Sequence, residues 1–224
     1  MANRCFIKLN GQWVSLSPMI KRNGQWERCP VYIKENGVWN RIDQQLVTKT
    51  YKVGGYCDWN ACYVGTSSSD SSLHKNSEPY KIRQGKYSTY YYYSPISFKS
   101  IFDKVRGKNI TKVTIELKNN HSYYSTGLNM YISGMVSSIN YEPSSITTSY
   151  FNNKKYSANV FFSKGGTKII SLNNEAIKDI KNNVIHGIRP MAVAGWSLND
   201  YGYYSGSGST RPYVEITYTE QVWE

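Results

Sequence analysis

Asn-Gly-x-Trp occurs three times near the start of the chain at a constant spacing of 13 residues: Asn10-Gly11-Gln12-Trp13, Asn23-Gly24-Gln25-Trp26 and Asn36-Gly37-Val38-Trp39. The repeat extends beyond the turn, because Phe6-Ile7-Lys8, Met19-Ile20-Lys21 and Tyr32-Ile33-Lys34 precede each Asn at the same offset. A type I′ turn needs positive φ at both central residues, which Asn and Gly tolerate, so Asn-Gly between alternating apolar residues predicts a β-hairpin. Residues 1–46 are therefore a triple hairpin repeat. A hairpin of about a dozen residues buries too little surface to stand alone, so the copies pack on each other or on a partner. In one reading Trp13, Trp26 and Trp39 form a shared core that staples the hairpins; in the other the rings stack directly on a ligand. Under either, the segment is a docking module, with Asn10, Asn23 and Asn36 setting its turns, and it is too small for an enzyme.

Residues 47–224 read differently. Thr111–Lys118 alternates apolar Val113, Ile115 and Leu117 with Lys112, Thr114, Glu116 and Lys118, the pattern of a half-buried strand. Leu128–Ile132, Ala158–Phe162, Thr167–Ser171, Met191–Ala194 and Tyr213–Tyr218 supply further strands, separated by turns such as Lys164-Gly165-Gly166. Two short helices interrupt them. Phe98, Ile101, Phe102 and Val105 fall at helical spacing after Pro95, and Ile177, Ile180 and Val184 do so after the cap pair Asn173-Asn174, with Gly187 as the stop. The fold expected is all-β: the hairpin repeat followed by a jelly-roll-like β-sandwich with two short helices.

The chain has no apolar run of the ~18 residues a membrane span needs, and its start lacks a basic region followed by an apolar one, so neither a span nor a cleaved signal is expected. The formal net charge is +12. Its cations are scattered, and the densest run, Lys99 to Lys118, is broken by Asp103 and Glu116. No recognition helix, zinc-finger spacing or RNA-binding signature accompanies them, so specific nucleic-acid binding is not expected. Attraction to anionic wall polymers or to an acidic protein neighbour is the better use of the charge. Of Cys5, Cys29, Cys57 and Cys62, only the last two are close, as a local disulfide or as buried thiols. His74, His121 and His186 lie too far apart to complete a zinc site by spacing, and no metal or cofactor is expected.

Three segments resemble a known framework. Gln84-Gly85-Lys86-Tyr87, the Phe98–Val105 stretch and Arg106-Gly107-Lys108-Asn109-Ile110-Thr111-Lys112-Val113 resemble jelly-roll domains in tail and minor structural proteins of phages that infect Gram-positive bacteria. The ending Arg211-Pro212-Tyr213-Val214-Glu215-Ile216-Thr217-Tyr218 is similar to the last strand of those domains and of DNRLRE-type sandwiches. The hairpin repeat is similar to short repeats of tail-tip, fibre and baseplate proteins. The resemblance implies a virion component present in several copies of a symmetric assembly. Residues 1–46 would dock it to other virion proteins, and host lysis, not secretion, would release it.

Twenty-one tyrosines are the remaining signal. Alternation along Tyr90–Tyr93 would place two rings inside and two outside. Tyr123, Tyr124, Trp196, Tyr201, Tyr203 and Tyr204 sit in or beside polar, Gly-rich loops at 121–126 and 197–208, where rigid amphipathic rings suit a sugar or protein contact. They are the expected ligand face, with host cell-wall glycan as its partner. An enzyme reading would need two carboxylates about 5–10 Å apart. Asp58, Asp70, Asp103, Glu142 and Asp200 lie in loops, but no motif links any two of them. Gly202-Tyr203-Tyr204-Ser205-Gly206 lacks the spacing of a nucleophile elbow, and no Gly-rich segment precedes a helix as a phosphate cradle would. The function expected is therefore a non-enzymatic virion protein that contributes to adhesion. A purely structural clamp between virion subunits and a glycan-cleaving virion enzyme are the alternatives.

Overall fold

The computed structural model describes residues 5–16, 19–41, 47–68, 72–78, 80–124, 126–196 and 198–222. Three two-stranded sheets open the chain: Cys5–Leu9 (β1) with Gln12–Leu16 (β2), Met19–Arg22 (β3) with Gln25–Arg28 (β4), and Tyr32–Glu35 (β5) with Val38–Arg41 (β6). Asn10, Asn23 and Asn36 all have φ of 49°, and the glycines that follow lie at 82° to 84°, as the hairpin turn requires. Next come Val47–Tyr56 (β7), Trp59–Asn60 (β8), Tyr63–Gly65 (β9), Leu73–Lys75 (β10), Lys81–Gln84 (β11), Lys86–Tyr87 (β12), Tyr90–Tyr93 (β13) and Ile96–Ser97 (β14). Helix Lys99–Val105 (α1) leads into Asn109–Ser122 (β15), Leu128–Met135 (β16), Ser145–Ile146 (β17), Val160–Phe162 (β18) and Thr167–Ser171 (β19). After helix Asn174–Lys181 (α2), the chain ends with Gly187–Ala192 (β20), Gly202–Ser205 (β21) and Tyr213–Val222 (β22). The fold is all-β with two short α-helices.

The chain divides into two compact units, residues 1–49 with 220–224 and residues 50–219. The hairpin unit does not match the shared-core reading. Trp13, Trp26 and Trp39 are 70%, 65% and 63% exposed, and Met19, Ile20, Tyr32, Ile33 and Val38 are exposed as well. The register explains it: each Trp is the cross-strand partner of a Lys, Lys8 with Trp13, Lys21 with Trp26 and Lys34 with Trp39. A ring beside an ammonium makes a poor core surface.

The larger unit is layered. A six-stranded sheet runs β11-β21-β15-β22-β7, with β19 also on β15, and a five-stranded sheet runs β18-β16-β20-β14-β8. Ile82, Val113, Ile115, Leu117, Tyr204, Val214 and Ile216 of the first meet Ile96, Leu128, Met130, Ile132, Phe162 and Ile188 of the second in one apolar core. The alternation of Val113, Ile115 and Leu117 thus faces inward. A third sheet, β12-β13-β9-β10-β17, makes a second core from Tyr63, Leu73, Tyr93 and Ile146 with Trp59, Met135 and Phe151. Strand parity puts Met135 opposite Leu128, Met130 and Ile132. The β16–β20 sheet is therefore a middle layer, covered on both faces.

Helix α1 buries Ile101, Phe102 and Val105, and Asp58 caps it from outside by accepting from the Ser100 amide at 3.0 Å and from the Ser100 hydroxyl. Helix α2 starts as expected, with Asn173 Oδ1 accepting from the Ala176 amide at 3.0 Å. Its stop differs. Asn183, at φ of 60°, ends it: its amide donates to Ile180 and that of Val184 to Asp179, a Schellman pattern with Asn in the usual glycine position. Gly187 instead begins β20, where an added Cβ would lie 2.3 Å from the Ile96 carbonyl oxygen.

His186 is buried, and its Nδ1 finds no partner among the described residues. Burial, helped by Lys99 and Arg106, holds its pKa below the ordinary 6.5. The unfolded chain then binds more protons than the folded one just below pH 6.5, so stability falls as pH drops from there toward the folded pKa. Melts at about pH 7 and about pH 5 should show a lower Tm in acid, and His186→Gln should shrink that drop. An equal drop in the variant would show that other groups carry it. His121, also held low by burial and by Lys164, keeps a share.

Candidate contact surfaces

Two surfaces answer to the expected contact residues, one in each unit. On the hairpins the indoles are exposed, and in the third Lys34 Nζ lies 5.7 Å from the Trp39 ring centroid. On the larger unit a ladder of rings runs from solvent to core. Tyr124 meets Tyr123 edge to face at 5.2 Å, Tyr123 leans on Tyr87 at 6.1 Å, Tyr87 on Tyr201 at 5.0 Å, and Tyr201 on Tyr92 at 5.5 Å. The Arg83 guanidinium covers Tyr92 at 5.1 Å and pairs with Glu78.

Local sequence explains the ladder's placement. Tyr87 and Tyr90 are register partners across the Ser88-Thr89 turn, where Ser88 takes φ of 56°. The Tyr123 amide donates to the Tyr201 carbonyl at 3.0 Å and ties the two tyrosine loops together. Tyr123 and Tyr124, 45% and 47% exposed, form the open end with Tyr87 and Tyr90. Tyr201 forms the buried end, and burial pushes its phenol up to about 12.

The six expected ligand residues therefore separate. Tyr123 and Tyr124 are open to solvent, Trp196 and Tyr203 are half-buried, and Tyr201 and Tyr204 are core residues. Trp196 packs on Tyr91 and Tyr93 at 5.1 Å and 4.9 Å, and Tyr203 stacks on His121 at 5.1 Å beneath Lys81. Tyr204 donates to Gln84 Oε1 at 2.7 Å, and Gln84 Nε2 donates to the Asp200 and Asn129 carbonyls at 2.8 Å and 3.0 Å. That buried network makes Tyr204 a strut. Tyr90–Tyr93 departs from alternation too: Tyr92 and Tyr93 are both buried because β13 is covered on both faces, by Tyr201 and by Trp196. Tyr87 is an exposed ring of this open end that lies outside the two tyrosine loops, and the Tyr87 and Tyr90 pair flanking a two-residue turn marks it in sequence.

The other chemistry-bearing groups have structural partners. Asp58 caps α1, Asp103 pairs with Lys99 and Arg106, and Glu142 pairs with Lys75 at 2.8 Å. Asp200 accepts from the Asn129 and Ala194 amides at 3.0 Å and 2.7 Å. Asp70 lies outside the described residues. Cys57 and Cys62 are free, buried thiols, and burial pushes Cys62 up to about 11, which leaves little thiolate for nucleophilic work. A shallow cavity of about 160 Å³ on the outer side of the large sheet is lined by Lys112, Thr114, Glu116, Ile169, Tyr213 and Glu215. Exposed Ile169, an apolar residue at a solvent-facing strand position, is its only signal in sequence.

No family model matches the chain, and no curated protein matches it. A solved chain described as "Structure of infectious bursal disease virus Gx strain" superimposes with a TM-score of 0.26 at 11% identity, covering 95% of this chain and 48% of that one. This chain thus spans about half the length of that structure, and a likeness at this level carries no argument.

The two ends of the ladder should respond differently to truncation. Tyr201→Ala should cost about 3–5 kcal/mol, as for other large buried rings, while Tyr123→Ala should stay within about 0.5 kcal/mol. Urea denaturation of both variants checks this, and equal costs would place both rings in the same environment.

Proposed function

We propose that the chain is a non-enzymatic structural protein of a phage virion, in the tail, baseplate, fibre or head decoration, that contributes to adhesion to host cell-surface glycans. The observation that carries the reading is the hairpin tandem, three short sheets that each expose a Trp, the second and third with apolar side chains exposed on both faces. A segment of that kind gains its stability when something covers it, and exposed apolar surface bounded by charge marks a contact. The resemblance of the Gln84–Tyr87 and Arg106–Val113 segments to phage jelly-roll domains supports the virion as the setting. Carboxylates engaged in caps and ion pairs, together with thiols raised by burial, support a role without catalysis. Multiple copies on one particle would turn weak single contacts into avidity.

The clamp reading keeps one specific support. Burial of Tyr201 and Tyr204 leaves the larger unit a smaller open ring surface than six loop aromatics would make. A clamp would cover Tyr87, Tyr123 and Tyr124 between subunits, whereas an adhesin would leave them facing outward. Antibodies raised against the chain should label purified virions in immunogold microscopy at regularly spaced positions. Chain that is abundant in the lysate but missing from purified particles would overturn the virion reading.

A further inference from the structure

The three hairpins share a pattern that the turns alone do not require. Side chains alternate between faces, so register partners lie on one face and the next pair on the other. In the second hairpin Lys21 with Trp26, and Met19 by parity, define one face, and Ile20 with Glu27 and Arg22 with Gln25 the other. In the third, Lys34 with Trp39, and Tyr32 by parity, share a face, opposite Ile33 with Asn40 and Glu35 with Val38. The first repeats the Lys8 with Trp13 pair and contains no acid. The only acids of the three hairpins, Glu27 and Glu35, therefore fall on the face away from the Trp. Every copy keeps Lys at the register position opposite Trp, while the residue after the Trp changes from Val14 to Glu27 to Asn40.

We infer that the Trp faces of the hairpins are a tandem site for an anionic polysaccharide, each hairpin holding one segment of the polymer through its indole and the neighbouring lysine. The inference rests on the reading of residues 1–46 as a contact module. An exposed indole offers a flat apolar surface with a polar edge, which suits the C–H face of a sugar ring. The adjacent ammonium supplies a charge-assisted hydrogen bond to a carboxylate or phosphate substituent. Three copies of one recognition pair call for three copies of one ligand unit, and a linear polymer has them by construction. A folded acidic protein would need three equivalent patches of its own. Successive tryptophans are 13 residues apart, a reach of at most about 45 Å along the chain. One long polymer can therefore engage all three, whereas a single sugar engages one.

The test uses the full-length chain in affinity electrophoresis against polygalacturonate, with amylose, polyglutamate and single-stranded DNA as comparisons. Polygalacturonate should retard the chain most, because amylose lacks the charge and polyglutamate lacks the ring. Changing Trp13, Trp26 and Trp39 together to Ala should weaken retardation by on the order of 10²-fold or more, and any one alone by about tenfold, as expected when linked sites are lost. Because the triple variant removes the largest side chains of each hairpin, a second variant keeps the rings and changes Lys8, Lys21 and Lys34 to Gln. It too should lose affinity, together with most of the salt dependence. Equal or stronger retardation by polyglutamate or by DNA would overturn the inference, as would full binding by either variant. Polymer binding by a chain absent from virions would sink the virion reading alone, and a chain present on virions that ignores the polymer would sink this inference alone.

Discussion

A sheet buried on both faces must satisfy its backbone without help from water, and the larger unit is organised around that requirement. Strand β16 pairs with β20 along one edge, but β18 reaches only Leu128 to Met130 on the other. Beyond that point the irregular segment 151–157 takes over the ladder. Tyr156 donates its amide to the Ile132 carbonyl at 2.8 Å, and Asn152 donates its own to Gly134 at 3.2 Å. In return Ser157 Oγ accepts from the Ile132 amide at 2.9 Å, and Asn152 Oδ1 accepts from Gly134 at 3.2 Å. Polar side chains thus stand in for a missing strand, and Gly134 is required because a Cβ there would lie 2.5 Å from the Tyr156 ring.

The same segment fastens helix α2. Tyr156 donates its hydroxyl to Asp179 Oδ2 at 2.5 Å, Asn152 Nδ2 donates to the Tyr156 hydroxyl at 2.8 Å, and Lys154 reaches Asp179 at 2.8 Å. Burial alone would raise the Asp179 carboxyl, yet the bonds from Lys154 and Tyr156 outweigh it and hold the group below 3.8. Its contribution is present above that pH and lost as pH falls through the folded value. Arg189 shows the cost of the arrangement. Its guanidinium lies 4.4 Å from the Phe151 ring centroid, and burial pulls its pKa down to about 10.

These features set what could be read from sequence. Strand β15 declared itself because one face meets the core and the other meets solvent, so Val113, Ile115 and Leu117 alternate against Lys112 and Glu116. Both helices were legible from local signals too, helical periodicity and the Asn173 cap, whereas β19 has no such alternation, with Ile169 exposed beside buried Ile170. Tyr90–Tyr93 was not, because a strand covered on both faces loses its period. Strands β8, β9, β10 and β17 have two or three residues each, too few for any period to show. The tyrosine loops misled for a different reason. Polar, Gly-rich neighbours suggested exposure, but Gly202 is there because Leu128 and the His121 carbonyl leave no room for a Cβ, and that close packing is what buries Tyr201 and Tyr204.

The hairpin unit inverts the logic of the larger one. In the sandwich, long-range pairing buries the rings and leaves the polar loops to close the ends; in the hairpins, local turn chemistry fixes the backbone and leaves the rings uncovered. A two-stranded sheet of this size is marginal by itself, and anything that binds only its folded form stabilises it by RT ln(1 + [L]/Kd). A repeat that kept Trp in every copy for stability alone would be expected to surround it with apolar partners, as the sandwich does for Tyr204. Each copy here pairs Trp in register with Lys, and the acids of the second and third, Glu27 and Glu35, fall on the other face, an arrangement that favours an anionic ligand over a dry core.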